Sequence, residues 1–145
     1  MKRSLHRLLR IRALLESLSL LELQKKTGEL RALEGAAEHE RNRARAARSV
    51  ALRGLTEGAE ASAWLTEVAD ADLLTWRRGR LRKLAEGQRP QVDAAREDLL
   101  SRRRELRQVE TLADAAAATE ETERIRREQR LADDWYQSRR AREKK

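Results

Sequence analysis

The sequence predicts an all-α fold, a long two-helix antiparallel coiled-coil hairpin with an overhanging C-terminal helix, and three observations carry that expectation. Of the 145 residues, 40% are charged, 3% are aromatic and none is Phe, so a thick multi-layer core cannot be assembled. The remaining apolar residues are mostly Leu and Ala, which with Glu, Lys and Arg are strong helix formers, and there is a single proline. The apolar residues also recur at steps of three and four, which favours helices buried along one stripe over the disorder that high charge alone would suggest. The length suits one hairpin over residues 1–145.

The first helix is expected from about Ser4 to Gly54. It opens on a wide leucine face of Leu5, Leu8, Ile11, Leu15 and Leu18, flanked by Leu9, Leu14 and Leu21. Further on, a narrower seam of Leu30, Leu33, Ala37, Ala44, Ala47 and Ala51 follows, with Glu40 in the remaining slot. Alanine in such a seam lets a partner helix approach closely. The two stretches do not share one register, and a shift near Glu22 to Lys26 predicts a stutter that locally unwinds the supercoil.

Gly54, Gly58 and the small residues through Ala63 mark the reversal, a turn over about 55–62 with Ser62 as N-cap of the next helix. The second helix is expected over about 63–140. Its seam reads Leu74, Leu81, Ala85, Val92, Ala95, Leu99, Leu106, Val109, Ala113 and Ala116. Asp98 with Arg102, Glu120 with Arg124 and Glu123 with Arg127 have the spacing of helical ion pairs. Pro90, preceded by Gly87, removes an amide donor and crowds the carbonyl four residues back, which predicts a kink or short break. About 50 helical residues extend roughly 75 Å and about 80 extend roughly 120 Å. Folding back therefore pairs the first helix with the second to about Thr111 and leaves the rest as an overhang.

Catalytic chemistry finds no foothold. His6 and His39 are too far apart on one helix to share a metal, and the six glycines form no phosphate loop. Without cysteine there is no disulfide, thiolate zinc site or thiol nucleophile. General acid–base work needs a partly dehydrated pocket, which a helical hairpin does not offer. The chain is read as a non-enzyme with no cofactor and no metal. Glu16 and Glu22 interrupt the most apolar stretch, Ala13 to Leu23, so no direct membrane insertion is expected. Lys2, Arg3, Arg7, Arg10 and Arg12 among leucines imitate an organellar presequence, but the leucine pattern runs on into a longer helix and is read as structure.

Two places stand out as contact surfaces. Near the tip are Trp64, Leu65, Leu73, Leu74 and Trp76, which either close the end of the coil or face a partner. On the overhang are Asp133, Asp134, Trp135 and Tyr136, followed by Arg139, Arg140, Arg142, Lys144 and Lys145. The net charge of +8 would attract nucleic acid, an anionic membrane surface or an acidic protein. Carboxylates interleave with the arginines, which disfavours nucleic acid as the partner.

Size, the basic charge-rich hairpin, the Trp64-containing restart of the second helix, and the run Glu128-Gln129 to Asp133-Asp134-Trp135 leading into Arg139-Arg140 occur in a particular order. In that order the chain resembles the coiled-coil stalk proteins of bacterial type III secretion, flagellar FliJ and its virulence-secretion counterparts of the YscO type. The resemblance implies a stalk similar to the rotor of rotary ATP synthases. Such a stalk sits in the pore of a ring-shaped export ATPase, promotes its assembly or turnover, and contacts the export gate protein and substrate chaperones. It implies a cytoplasmic location at the face of the inner-membrane export apparatus. Carried onto this chain, Leu8, Ile11, Asp133, Asp134, Trp135, Tyr136, Arg139 and Arg140 would meet the ATPase. Trp64, Leu65, Leu73, Leu74 and Trp76 would face the gate. Pro90 and the alanines and arginines at expected tip aromatics depart from the family pattern. The alternatives are a basic coiled-coil nucleic-acid-binding protein and a scaffold that dimerises through its overhang.

Overall fold

A chain made chiefly of helix-forming residues, interrupted by few glycines, folds as two α-helices. A computed structural model describes residues 2–143, with side chains for 4–140 and 142. Met1, Lys144 and Lys145, and the side chains of Lys2 and Arg3, lie outside the described residues, so the basic ends read from the sequence are described in part. Helix α1 is Lys2–Glu57 and helix α2 is Ala61–Glu143, and the fold is an all-α two-helix hairpin.

The reversal takes three residues, 58–60, against the eight expected. Leu55, Thr56 and Glu57 prolong α1 until Gly58 supplies the left-handed conformation, φ 78°, that a side chain would resist. The Ala59 amide then donates back to the Gly54 carbonyl at 2.8 Å, satisfying an acceptor at the helix end. Gly54 makes room for this closure, because a Cβ there would stand 3.3 Å from that of Ala59. The next helix starts from Glu60, whose carbonyl accepts from the Ala63 and Trp64 amides at 3.1 and 3.2 Å. Ser62 is therefore inside the first turn and is not the N-cap. Its carbonyl accepts from the Thr66 hydroxyl.

Two compact units are distinguished, Ser17–Leu100 and the combination of Met1–Glu16 with Ser101–Lys145. In the first of these, Lys26 Nζ donates to Gln91 Oε1 at 3.1 Å and Gln88 Nε2 donates to Glu29 Oε2 at 2.7 Å. Three residues forward on α1 correspond to three back on α2, so the segments run antiparallel. The seam of α1 follows one alternation of four and three, Ser19, Leu23, Lys26, Leu30, Leu33, Ala37, Glu40, Ala44, Ala47, Ala51, with Leu20, Thr27 and Arg41 half-buried beside it. On α2 the seam is Trp64, Glu67, Ala71, Leu74, Arg78, Leu81, Ala85, Gln88, Val92, Ala95 and Leu99, with Val68 half-buried beside it.

The expected stutter near Glu22 to Lys26 is absent. The register holds because polar side chains occupy seam positions with partners at hand: the Ser19 hydroxyl donates to Asp98 Oδ2 at 2.5 Å, and Lys26 bonds Gln91. A buried polar group tolerates its loss of water when such a bond replaces it. Leu18 and Leu21, placed on or beside the leucine face by the sequence, are exposed instead. Helix α2 also runs unbroken through Pro90, where a break was one expectation. The turn holding Pro90 is fastened to α1 by Gln88 to Glu29 and by Arg89 to Glu34 at 3.2 Å.

In the other unit the shielded positions are Leu5, Leu9, Arg12, Leu15 and Glu16 on α1 and Arg102, Glu105, Leu106, Val109, Ala113 and Ala116 on α2. Leu8 and Ile11, expected in this seam, face outward, and Leu9, expected on the flank, faces in. The reason is the partner surface. Helix α2 presents Arg102, Arg103 and Glu105 here, so charged residues of α1 meet it: Arg12 pairs with Glu105, which Arg102 also approaches, and Arg103 Nε donates to Glu16 Oε1 at 2.8 Å.

After Ala116 every described side chain through Arg140 is exposed. This stretch is supported by its own ion pairs, including the anticipated Glu123–Arg127 at 3.2 Å and Arg124 between Glu121 at 2.8 Å and Glu128 at 3.7 Å. Each contributes a few tenths of a kcal/mol, roughly 0.2–0.5.

Candidate docking surfaces

Among the described residues no three His, Asp or Glu side chains gather into a group that could hold a metal ion. Nor is any helix long and apolar enough to cross a membrane. Large apolar and aromatic side chains are exposed along both helices, and the candidate contact residues among them lie in three places.

The first is the end of α2. Trp135 and Tyr136 are both largely exposed and meet edge to face, with ring centroids 5.7 Å apart and planes at 84°. The Arg139 guanidinium lies 5.5 Å from the Trp135 ring centroid. Spacing of four residues puts that cation one helical turn beyond the indole, within the range of cation–π attraction. Side chains that already touch one another have less rotamer freedom to lose on binding. Asp133, Asp134 and Arg140 are exposed neighbours on the same two turns. The structure brings Trp135, Tyr136 and Arg139 together. Their exposure means the rings do not fold onto Leu8 or Ile11.

The second place is the beginning of α1, in the same unit. Leu8 and Ile11 line a shallow open depression with Ser4 and Arg7. Leu14, which the sequence reading placed on the flank, is the most exposed of these large side chains at 65%.

The third is the tip, and here the expected set divides. Leu74 is buried and Trp64 is half-buried, both at seam positions, so both help to close the coil. Leu65, Leu73 and Trp76 are exposed. The Arg80 guanidinium lies 5.3 Å from the Trp76 ring centroid. Leu73 borders a second shallow depression whose rim carries Arg43, Glu67, Asp70 and Arg77.

Arg80 went unnoticed in the sequence, although a signal was present. Trp76 with Arg80 and Trp135 with Arg139 repeat one spacing, an indole followed by arginine four residues later. Comparison of the chain with protein-family models, curated protein sequences and solved structures gives no match.

Proposed function

We propose that the chain is the central stalk of a type III secretion or flagellar export ATPase complex, an interaction protein of the FliJ and YscO type that catalyses no reaction itself. In this reading it works in the cytoplasm, at the inner-membrane export apparatus, promoting assembly or turnover of the ring ATPase. The observation that carries it is the end of α2: beyond Ala116 the helix has no shielded side chain, yet it presents the ordered Trp135, Tyr136 and Arg139 cluster. Aromatic and arginine side chains left in water at a helix end are favourable anchors for another protein. The antiparallel hairpin beneath them agrees with the architecture the resemblance implies.

Leu8, Ile11, Asp133, Asp134, Trp135, Tyr136, Arg139 and Arg140 are the proposed ATPase-binding set. At the tip Leu65, Leu73 and Trp76 are the proposed contacts for the export gate protein, with substrate chaperones as further partners. Trp64 and Leu74 support that end from within the seam.

The test is retrieval of the tagged chain from nuclease-treated lysate of its own host, with retained proteins identified by mass spectrometry. Recovery of a ring ATPase with export-gate components supports the stalk. Binding that the nuclease abolishes, with no such ATPase, moves the reading to the basic nucleic-acid-binding alternative, whose affinity would fall steeply with salt.

A further inference from the structure

The start of α1 carries a second face beside its seam. Leu5, Leu9 and Arg12 point toward α2, while Leu8, Ile11 and Leu14 are exposed and Leu15 is half-buried. At 3.6 residues per turn these last four fall within an arc of about 120°. Arg7 lies inside that arc and Arg10 about 40° beyond its edge, and neither side chain has an ion pair or hydrogen bond among the described residues. No carboxylate occurs before Glu16, and the sequence adds Lys2 and Arg3 to the same end. An apolar stripe whose own stretch of helix carries only cationic charge is thus left exposed.

Two kinds of occupant could cover it, and Arg7 decides between them. A partner helix would have to enclose a guanidinium in the middle of its apolar contact, where an unpaired charge loses its water at high cost. At a lipid surface the same residue is an advantage. Its alkyl stem lies along the leucines while the guanidinium reaches the phosphate layer, where planar, bidentate recognition of phosphate suits it. An apolar stripe with arginines within and beside it, and no carboxylate on the same stretch of helix, suits a helix that lies in the plane of a bilayer interface without crossing it.

We infer that residues 4–15 of α1 bind the surface of an anionic membrane, with Leu8, Ile11 and Leu14 at the acyl boundary and Arg7 and Arg10 on lipid phosphates. This goes beyond the stalk reading, and beyond the sequence-based expectation of no direct membrane insertion. It requires no other protein. Leu8 and Ile11 belong to both proposed surfaces, so lipid and ATPase would compete for them.

The experiment uses the full chain and vesicles of phosphatidylcholine, with or without phosphatidylglycerol, read by co-sedimentation. Because the net charge of +8 alone attracts anionic vesicles, the comparison is between two variants with the same change in charge. Ile11→Asp alters the proposed face, and Ile125→Asp alters a similarly exposed site on α2. Circular dichroism confirms that both stay helical. The expected result is binding that requires phosphatidylglycerol, weakened at least about tenfold by Ile11→Asp and less than about threefold by Ile125→Asp. Arg7→Gln should weaken binding and reduce its salt sensitivity. Absence of binding, or equal losses in the two aspartate variants, overturns the inference. So does concentration-dependent dimerisation that Ile11→Asp abolishes while vesicle binding is unaffected, since a second copy would then cover the stripe.

Discussion

Replacing Leu99 with alanine, beside the same change at Leu84, tests the register on which the hairpin rests. Leu99 is 4% exposed and Leu84 is 57% exposed, although both are leucines on α2 within one compact unit. The substitution removes three carbon groups, each worth about 0.8 kcal/mol when fully buried, or about 2.4 kcal/mol for Leu99. A cavity term adds to this, but the open edges of a two-helix seam let neighbours close in, so about 2.5–3 kcal/mol is expected in total. At Leu84 what shielding exists comes largely from the same helix. Alanine's better helix propensity offsets a few tenths, leaving a loss below about 0.5 kcal/mol. Urea denaturation followed by circular dichroism gives both values from the shift in midpoint at constant slope. A slip of one residue that buried Leu84 in place of Ala85 would also put Asp98 in place of Leu99. Equal losses, or a larger loss at Leu84, would refute the register.

The same denaturation assay reaches three further features. Gly58→Ala should cost about 1–2 kcal/mol, because the left-handed cap conformation brings a Cβ against the carbonyl; no loss would mean the cap tolerates another backbone conformation. Pro90→Ala should raise stability by about 2–3 kcal/mol by restoring an amide donor in a helix that is already continuous. A lower midpoint would show that the surrounding turn depends on proline. Glu105→Leu alone should cost about 1 kcal/mol, since it leaves Arg12 and Arg102 facing one another at a site about a third exposed. Arg12→Leu combined with Glu105→Leu should restore or exceed the original stability, as paired charges replaced by packed apolar groups often do. A double variant weaker than Glu105→Leu alone would contradict that view.

The second half of the seam was legible because its residues are apolar and regularly spaced. Leu30, Leu33, Ala37, Ala44, Ala47 and Ala51, and the α2 positions from Leu74 to Ala116, are shielded as the three-and-four spacing implies. The first third of α1 misled for a physical reason. Its leucines outnumber the seam positions, so a count of apolar side chains follows Leu8, Ile11 and Leu18, while the true register passes through Arg12, Glu16 and Ser19. Those polar residues belong in the seam because Glu105, Arg103 and Asp98 supply their partners, and partners across a hairpin cannot be read from one helix. The N-cap was missed because serine was preferred by type. The turn instead is set by where Gly58 can adopt positive φ, one residue pair before Glu60.

Of the candidate surfaces, the aromatic pair and its arginine were visible as sequence neighbours, and their mutual geometry follows from helical spacing. The tip was legible only as a set. Which of its five residues points inward depends on register, and the seam takes Trp64 and Leu74 while leaving Leu65, Leu73 and Trp76 outside.

The most direct measurement on the central claim is turnover of the cognate ring ATPase as the chain is added, for the natural sequence and for Trp135→Ala. Trp135 is exposed and touches Tyr136 and Arg139 without entering the seam, so its loss should leave helical content unchanged. The natural chain should raise turnover and form a complex with the ring, and Trp135→Ala should lose both while remaining fully helical. Unchanged turnover with the natural chain, together with no complex by sizing, would contradict it.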